Sequence, residues 1–455
     1  MSVYDLLIDF TIASVLILIG QLIRAKVKFF QEFFIPASMI AVFLGLLLGK
    51  QFLNVLPFSA SAGSYSGVLI ILIFTVVGIN GFSSGKGGSG GTAKRVVSYT
   101  LYRFVIFFIQ FALGIAATLT IIKVLVPNIN PGFGVLMASG FTGGHGTAAA
   151  VGKTFTELGW AEGADLGMTF ATVGILTGIF GGLAFIKVAT KRGWTSYVKD
   201  FKFISGDMRT GLIAKKNRSP MGMETISSVS LDSLAFHVCL VLMIAGGGYM
   251  LNAKVLGPYV ISGIPDFTVS YLIGLAFFML FRNTKLYDYV DKDVNNRISG
   301  TATDYLVFFG VAMINVQVII DYAVPLVIMT LVGWVCVFLT MIPLGSGMSS
   351  KSWFERSIFC YGYSTGVFAI GFVLLRIVDP ENKSHTAEDV AMSPWINFVE
   401  IFMWSSVPAA LLAGQGWLVV AITGAVAIAC VAICITGKMW CKEPLAGRGG
   451  YGLEE

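Results

Sequence analysis

The sequence predicts an all-α polytopic membrane protein: two inverted five-helix repeats, each with a re-entrant hairpin, plus one extra C-terminal helix. Three observations predict it. First, 56% of the 455 residues are hydrophobic and only 12% are charged, about half the charged share of a soluble domain. Second, apolar stretches near the roughly 20 residues that a spanning helix needs recur along the whole length. They are continuous and not alternating, which excludes an outer-membrane barrel. Third, the 31 Lys and Arg residues are distributed as topology demands.

Spans are expected near 5–23, 33–50, 66–83, 99–126 and 165–188, then near 231–250, 265–282, 304–322, 324–342 and 394–413. A last one is expected near 417–437. Asp5 and Asp9 flank the start of the first span and no basic segment precedes it, so it does not read as a cleaved signal. Most of the six cysteines fall in apolar segments without a CxxC pair, and read as small packing residues.

Two further apolar segments, 132–157 and 357–375, are interrupted by Gly, Ser and Thr. In the first, Gly143, Gly144 and Gly146 should break a regular helix, because each glycine costs roughly 1 kcal/mol relative to alanine. Loose backbone at bilayer depth survives only where protein covers it or where it lines a polar cavity. Each segment is therefore expected to enter the membrane and turn back. With the N-terminus outside and both segments as hairpins, all basic residues except Lys50, Lys123, Lys153 and Lys254 fall inside, as the positive-inside rule requires. The C-terminus then lies inside. Were either segment a full span, strongly basic loops would lie outside.

This gives a first repeat over 1–188 and a second over 231–413. Between them, 189–230 reads as a basic cytoplasmic linker that includes Lys191, Lys199, Lys202, Arg209 and Lys215. An extra transmembrane helix and a cytoplasmic tail occupy 414–455. Five crossings is an odd number, so the second repeat is inverted. Sequence echoes occur in matching order. Val77-Gly78-Ile79-Asn80 answers to Ala312-Met313-Ile314-Asn315, and Gly144-His145-Gly146-Thr147 to Gly362-Tyr363-Ser364-Thr365.

Paired broken segments in corresponding positions point to a binding site. Half-helix N-termini favour carboxylates, and unwound carbonyls suit Na⁺ or H⁺. A single small-residue helix would be read as close packing. Two matched ones make Gly143, Gly144, His145, Gly146, Thr147, Ser364 and Thr365 candidates for binding a small anion. Ser139, Thr142, Thr147 and Thr365 add hydroxyl oxygens suited to a hard cation. Asn80 and Asn315, at matching repeat positions, are further candidates for lining the site. For His145 two roles stand open: holding a carboxylate or buttressing the loop. Glu400, in the middle of a span, needs a partner or water. Gln110 is another polar residue within a span. Arg103, Asp304 and Arg376 read as residues facing the inner headgroups.

The run from Ser139 through Ala148, SGFTGGHGTA, resembles the hairpin signature of the bacterial sodium/glutamate symporters. Tyr361-Gly362-Tyr363-Ser364-Thr365-Gly366 resembles that family's second hairpin more loosely. The likeness extends over roughly residues 1–413. It implies an elevator-type secondary transporter of the bacterial cytoplasmic membrane that works as a homodimer. Na⁺ would be the coupling ion, with no organic cofactor, and glutamate or a closely related anionic amino acid the cargo.

A Na⁺- or H⁺-coupled carrier of another organic anion, such as a dicarboxylate, shares the same architecture. A channel is disfavoured by the pseudo-symmetry. No GxxxxGK[ST] motif occurs, so the chain by itself is not an ATP-driven pump. The basic residues follow topology and do not imply nucleic acid. An intramembrane enzyme has little to recommend it. Gly87-Gly88-Ser89-Gly90 has the form of a serine-hydrolase motif but lies in a polar loop, with no base placed to activate it.

Overall fold

A computed structural model of the protein describes residues 3–32, 35–81, 90–197, 207, 210–259, 265–349, 352–379, 383–391, 393 and 395–441. The regular elements among them are helices, with no strand. In chain order the main helices are α1 (Val3–Lys26), α2 (Ala37–Leu48), α3 (Tyr65–Asn80), α4 (Gly90–Ala117), α5 (Phe133–Glu157), α6 (Gly163–Arg192) and α7 (Ser233–Leu251). They continue as α8 (Asp266–Phe281), α9 (Lys292–Ala312), α10 (Ala323–Leu339), α11 (Trp353–Thr365), α12 (Phe368–Val378), α13 (Trp395–Leu412) and α14 (Gly416–Thr436).

Among the described residues, seven helices are long and apolar enough to cross a membrane: α1, α3, α4, α6, α7, α10 and α14, three of them lengthened by the turns that follow. Helices α2, α8 and the later part of α13 are apolar but shorter. The span expected at 304–322 is the main departure. Helix α9 begins earlier, at Lys292, because the Asp291 carboxylate accepts hydrogen bonds from the backbone N–H groups of Asp293 and Val294. Such a cap satisfies donors that a helix start leaves open. The helix ends at Ala312, and a separate short helix follows over Val316–Asp321. An apolar run alone does not reveal a helix whose first three turns are polar.

Compactness divides the chain otherwise than the proposed repeats. One unit comprises residues 1–82, 145–165 and 207–316; the other comprises 83–144, 166–206 and 317–455. Each draws on both halves of the sequence.

The first unit is organised around α3. Gly78 lies against the Tyr271 carbonyl of α8, and a Cβ at Gly274 would lie 2.9 Å from the Thr75 carbonyl. Two glycines thus let the α3 and α8 backbones approach at closest range. Buried Asp9 on α1 accepts hydrogen bonds from the Ser59 N–H (2.9 Å) and the Tyr65 hydroxyl (2.9 Å). The later part of the 189–230 stretch bonds to the first unit. The Gln21 amide donates to the Thr210 carbonyl, and the Met223 N–H donates to Asp291. Lys199, Lys202 and Arg209 lie outside the described residues.

The second unit holds α4, α6 and α10 to α14. Helix α14 lies antiparallel along α4, with Leu119 at Gly416 and Ser98 near Cys434. The cysteines are free, and Cys336, Cys360, Cys430 and Cys434 are buried. Ser89 lies outside the described residues.

Replacing Gly78 with Ala decides between two effects. Helix propensity alone would stabilise by about 1 kcal/mol. A methyl group pressed on the Tyr271 carbonyl forces backbone to move, at about 1–3 kcal/mol. Overpacking should win, and the thermal midpoint of Gly78→Ala in detergent should fall; a rise would refute the close α3–α8 crossing.

Candidate functional site

Both interrupted segments are broken helices. In α5 the break is confined to Gly144, whose φ of 62° and ψ of −158° leave the helix. That region is open essentially only to glycine. Gly143 and Gly146, expected to break the helix as well, are helical. Their helical neighbours outweigh a propensity cost of roughly 1 kcal/mol each.

The first arm of α5, residues 133–143, belongs to the second unit. There Gly134 lies against Gly114 of α4, and the Phe133 and Phe170 rings stand 5.4 Å apart. The second arm, 145–157, belongs to the first unit. There Gly152 lies against the start of α6, and Lys153 pairs with Asp266 at 3.0 Å.

The second break falls at Gly366 and Val367, between α11 and α12. These two helices form an antiparallel hairpin. A Cβ at Gly362 would lie 2.8 Å from Gly371, and the Phe359 and Phe372 rings lie 4.9 Å apart. The hairpin is longer than the 357–375 read from sequence. Its arms of 13 and 11 residues reach about 20 and 17 Å, short of the roughly 30 Å hydrocarbon core.

The two breaks meet within the second unit. At Gly144 a Cβ would strike Val367 and lie 2.8 Å from the Gly366 carbonyl oxygen. Gln110 of α4 joins the two segments. Its carbonyl oxygen accepts from the Thr142 hydroxyl at 2.7 Å, and its amide donates to the Ser364 carbonyl at 2.9 Å. Gly174 of α6 lets that helix come close, since a Cβ there would lie 2.5 Å from the Thr365 carbonyl.

The candidate hydroxyls are buried. Ser139 donates to the Leu136 carbonyl (3.0 Å), and Thr365 and Ser364 both donate to the Tyr361 carbonyl (2.8 and 3.3 Å). A hydroxyl that has given its proton keeps its lone pairs. The site therefore presents acceptor oxygens of the kind that hard cations take as ligands.

Not every candidate belongs to the second unit. His145, Gly146 and Thr147 fall in the first unit, where His145 and Thr147 are buried. Asn80 is bound to the α9 start, donating to Asn296 (2.9 Å) and accepting from Asn295 (3.0 Å). Asn315 lies beyond the other end of α9. The two asparagines thus occupy opposite ends of one helix.

Sequence reasoning passed over the groups that hold the hairpin in place. Arg103, read as facing headgroups, is buried, and its Nη2 lies 3.3 Å from Glu400 Oε1. The Tyr363 hydroxyl donates to the same oxygen at 2.5 Å, and the guanidinium sits 4.1 Å from the Tyr363 ring centroid. Glu400 thus has the partner that its depth demands. At the hairpin base, buried Asp389 receives Arg95 (2.7 Å) and Arg356 (3.1 Å), and buried Glu355 accepts from the Ser196 N–H (2.6 Å). A carboxylate and an arginine of opposite charge, both within expected spans, were the signal for the first pair.

The family model of the sodium/glutamate symporter matches residues 3–370. The chain belongs to that family. The family is one of sodium-coupled transport proteins and not of enzymes. A sodium/glutamate symporter of Haemophilus influenzae is 26% identical over 187 residues, 40% of this chain and 42% of that protein. The match thus spans less than half the length of that relative. Among solved structures, the sodium proton antiporter MjNhaP1 of Methanocaldococcus jannaschii at pH 8 aligns over 92% of this chain and 99% of its own. It does so at 16% identity and a TM-score of 0.35, too slight a likeness to bear on the fold.

Two outcomes follow from this geometry. Gly144→Ala should destabilise the protein by about 1–3 kcal/mol from backbone conformation alone. Gly146→Ala should be neutral or stabilising, because the nearest atom to its Cβ is Ile70 Cδ1 at 3.5 Å. Thermal unfolding in detergent separates them, and equal effects would contradict a break confined to Gly144. Glu400→Leu leaves Arg103 buried without its carboxylate and should cost roughly 3–5 kcal/mol, whereas Arg103→Met/Glu400→Leu should recover most of that loss. A double variant no more stable than the single one would show that the pair is not an energetic unit.

Proposed function

We propose that this chain is a secondary transporter that couples Na⁺ to uptake of glutamate or a closely related anionic amino acid into the cell. The observation that carries the reading is the meeting of two helix breaks at Gly144 and Gly366–Val367. Interrupted helices turn backbone groups toward a ligand, N–H groups toward anions and carbonyls toward cations. In this reading Gly143, Gly144, Ser364 and Thr365 hold the anion. Ser139, Thr142 and Thr365 hold Na⁺.

The same proposal makes both segments re-entrant hairpins of two inverted repeats, moving as an elevator in a bacterial cytoplasmic membrane. The N-terminus lies outside, the C-terminus inside, and the working form is a homodimer. The lysine and arginine distribution supports this orientation. One observation favours a dicarboxylate as the alternative cargo: none of the proposed residues carries a negative charge to meet an ammonium group.

The test is uptake of labelled glutamate by purified protein in proteoliposomes, with and without an inward Na⁺ gradient, against aspartate and dicarboxylate competitors. Saturable, Na⁺-dependent uptake is expected, and Thr365→Ala should raise the Na⁺ concentration for half-maximal rate. Uptake indifferent to Na⁺ would overturn the coupling, and competition by dicarboxylates alone would replace the cargo.

A further inference from the structure

Helices α6 and α10 of the second unit leave a groove of about 730 Å³ between them, lined by Thr177, Phe180, Phe185, Trp334 and Phe338, with Tyr361 of the hairpin at its floor. Its few polar groups bond one another. The Tyr361 hydroxyl donates to the Thr177 carbonyl at 2.8 Å, and the Trp334 indole N–H to the Thr177 hydroxyl at 3.0 Å. What remains open is hydrocarbon and aromatic ring. Trp334 and Phe338 are about half exposed, at 47% and 52%. Both walls are helices long and apolar enough to span a membrane.

The α6 wall has a charged end. Thr177, Phe180, Ala184, Lys187 and Lys191 succeed one another at alternating helical spacings of three and four, which sets them on one face. Lys187 and Lys191 are exposed. Beyond them Trp194 lies 5.5 Å from Trp353, and the Tyr197 hydroxyl 2.8 Å from Ser352. Aromatic and basic residues gathered at a helix end mark the membrane–water interface. From Val173 to Phe185 the groove runs about 18 Å along α6, which matches the roughly 15 Å depth of one leaflet's hydrocarbon.

We infer that this groove is a binding site for one anionic phospholipid, its acyl chain between α6 and α10 and its phosphate on Lys187 and Lys191. An apolar slot that opens on a bilayer and ends at two lysines fits that chemistry on both counts. The floor ties the lipid to the candidate transport site. Tyr361 gives its hydroxyl to α6 and its carbonyl to Ser364 and Thr365, so the bound chain rests on the arm that carries the second break.

The experiment reads binding and not uptake, so it stands apart from the proposed function. The full-length protein in detergent is titrated with phosphatidylglycerol or phosphatidylcholine carrying dibrominated acyl chains, and tryptophan fluorescence is followed. Phosphatidylglycerol should quench at lower concentration, and Trp334→Phe should remove that quenching component. Lys187→Gln/Lys191→Gln should weaken phosphatidylglycerol roughly 25-fold, about fivefold for each lysine at a membrane surface, while Lys187→Arg/Lys191→Arg keeps the preference. Both substituted lysine positions are exposed, and gel filtration checks that the variants stay folded. Equal quenching by both lipids would overturn the headgroup assignment. Quenching indifferent to Trp334→Phe would overturn the groove, as would a Trp334 shielded from both lipids by a second copy of the chain.

Discussion

A peptide group in hydrocarbon must find a hydrogen-bond partner, because no water is there to supply one. That constraint is why a break in a membrane helix cannot stand alone. Here the interruption at Gly144 is set against the interruption at Gly366–Val367, and Gln110 serves both by accepting from Thr142 and donating to the Ser364 carbonyl. Each irregular segment supplies part of the cover that the other needs. Only glycine at 144 permits it, on grounds of both backbone angle and the space that Val367 takes.

The hairpin that supplies the second break is held by charge as well as by packing. Arg103 and Glu400 fix Tyr363 partway along one arm, while Asp389 between Arg95 and Arg356 fixes its base. Ion pairs of this kind add little net stability against well-packed apolar replacements. What they do provide is geometry. Tyr363 has one place to put its hydroxyl and one cation against its ring, so the arm has a defined rotation about its own axis.

Much of this was legible in the sequence, and the rest was not for definite physical reasons. Apolar length marked most helices, and glycine-rich interruptions marked both breaks, because those signals are local. Which of Gly143, Gly144 and Gly146 departs from the helix was not legible, since the groups packed against Gly144, Gly366 and Val367, lie more than two hundred positions away. Arg103 was misread for the same reason: its partner lies in another helix. Helix α9 was placed too late because hydropathy is blind to a polar helix start that Asp291 caps. The contact between Gln110 and Ser364 joins residues 254 positions apart, and nothing in either neighbourhood announces it.

The interleaving of the two compact units bears on how the chain is made. Residues 83–144 belong with 317–455 and not with the segments that surround them. Arg103 is therefore synthesised 297 residues ahead of Glu400. At about 5–20 residues per second that is a delay of roughly 15–60 s. Throughout it, α4 carries within its apolar span an arginine that has not yet met Glu400, and a charged side chain in hydrocarbon is costly. The nascent chain must hold this helix near the headgroups, or under the care of the insertion machinery, until α13 arrives. Final seating of α4 is thus an event late in biogenesis, although the helix is among the first to be translated.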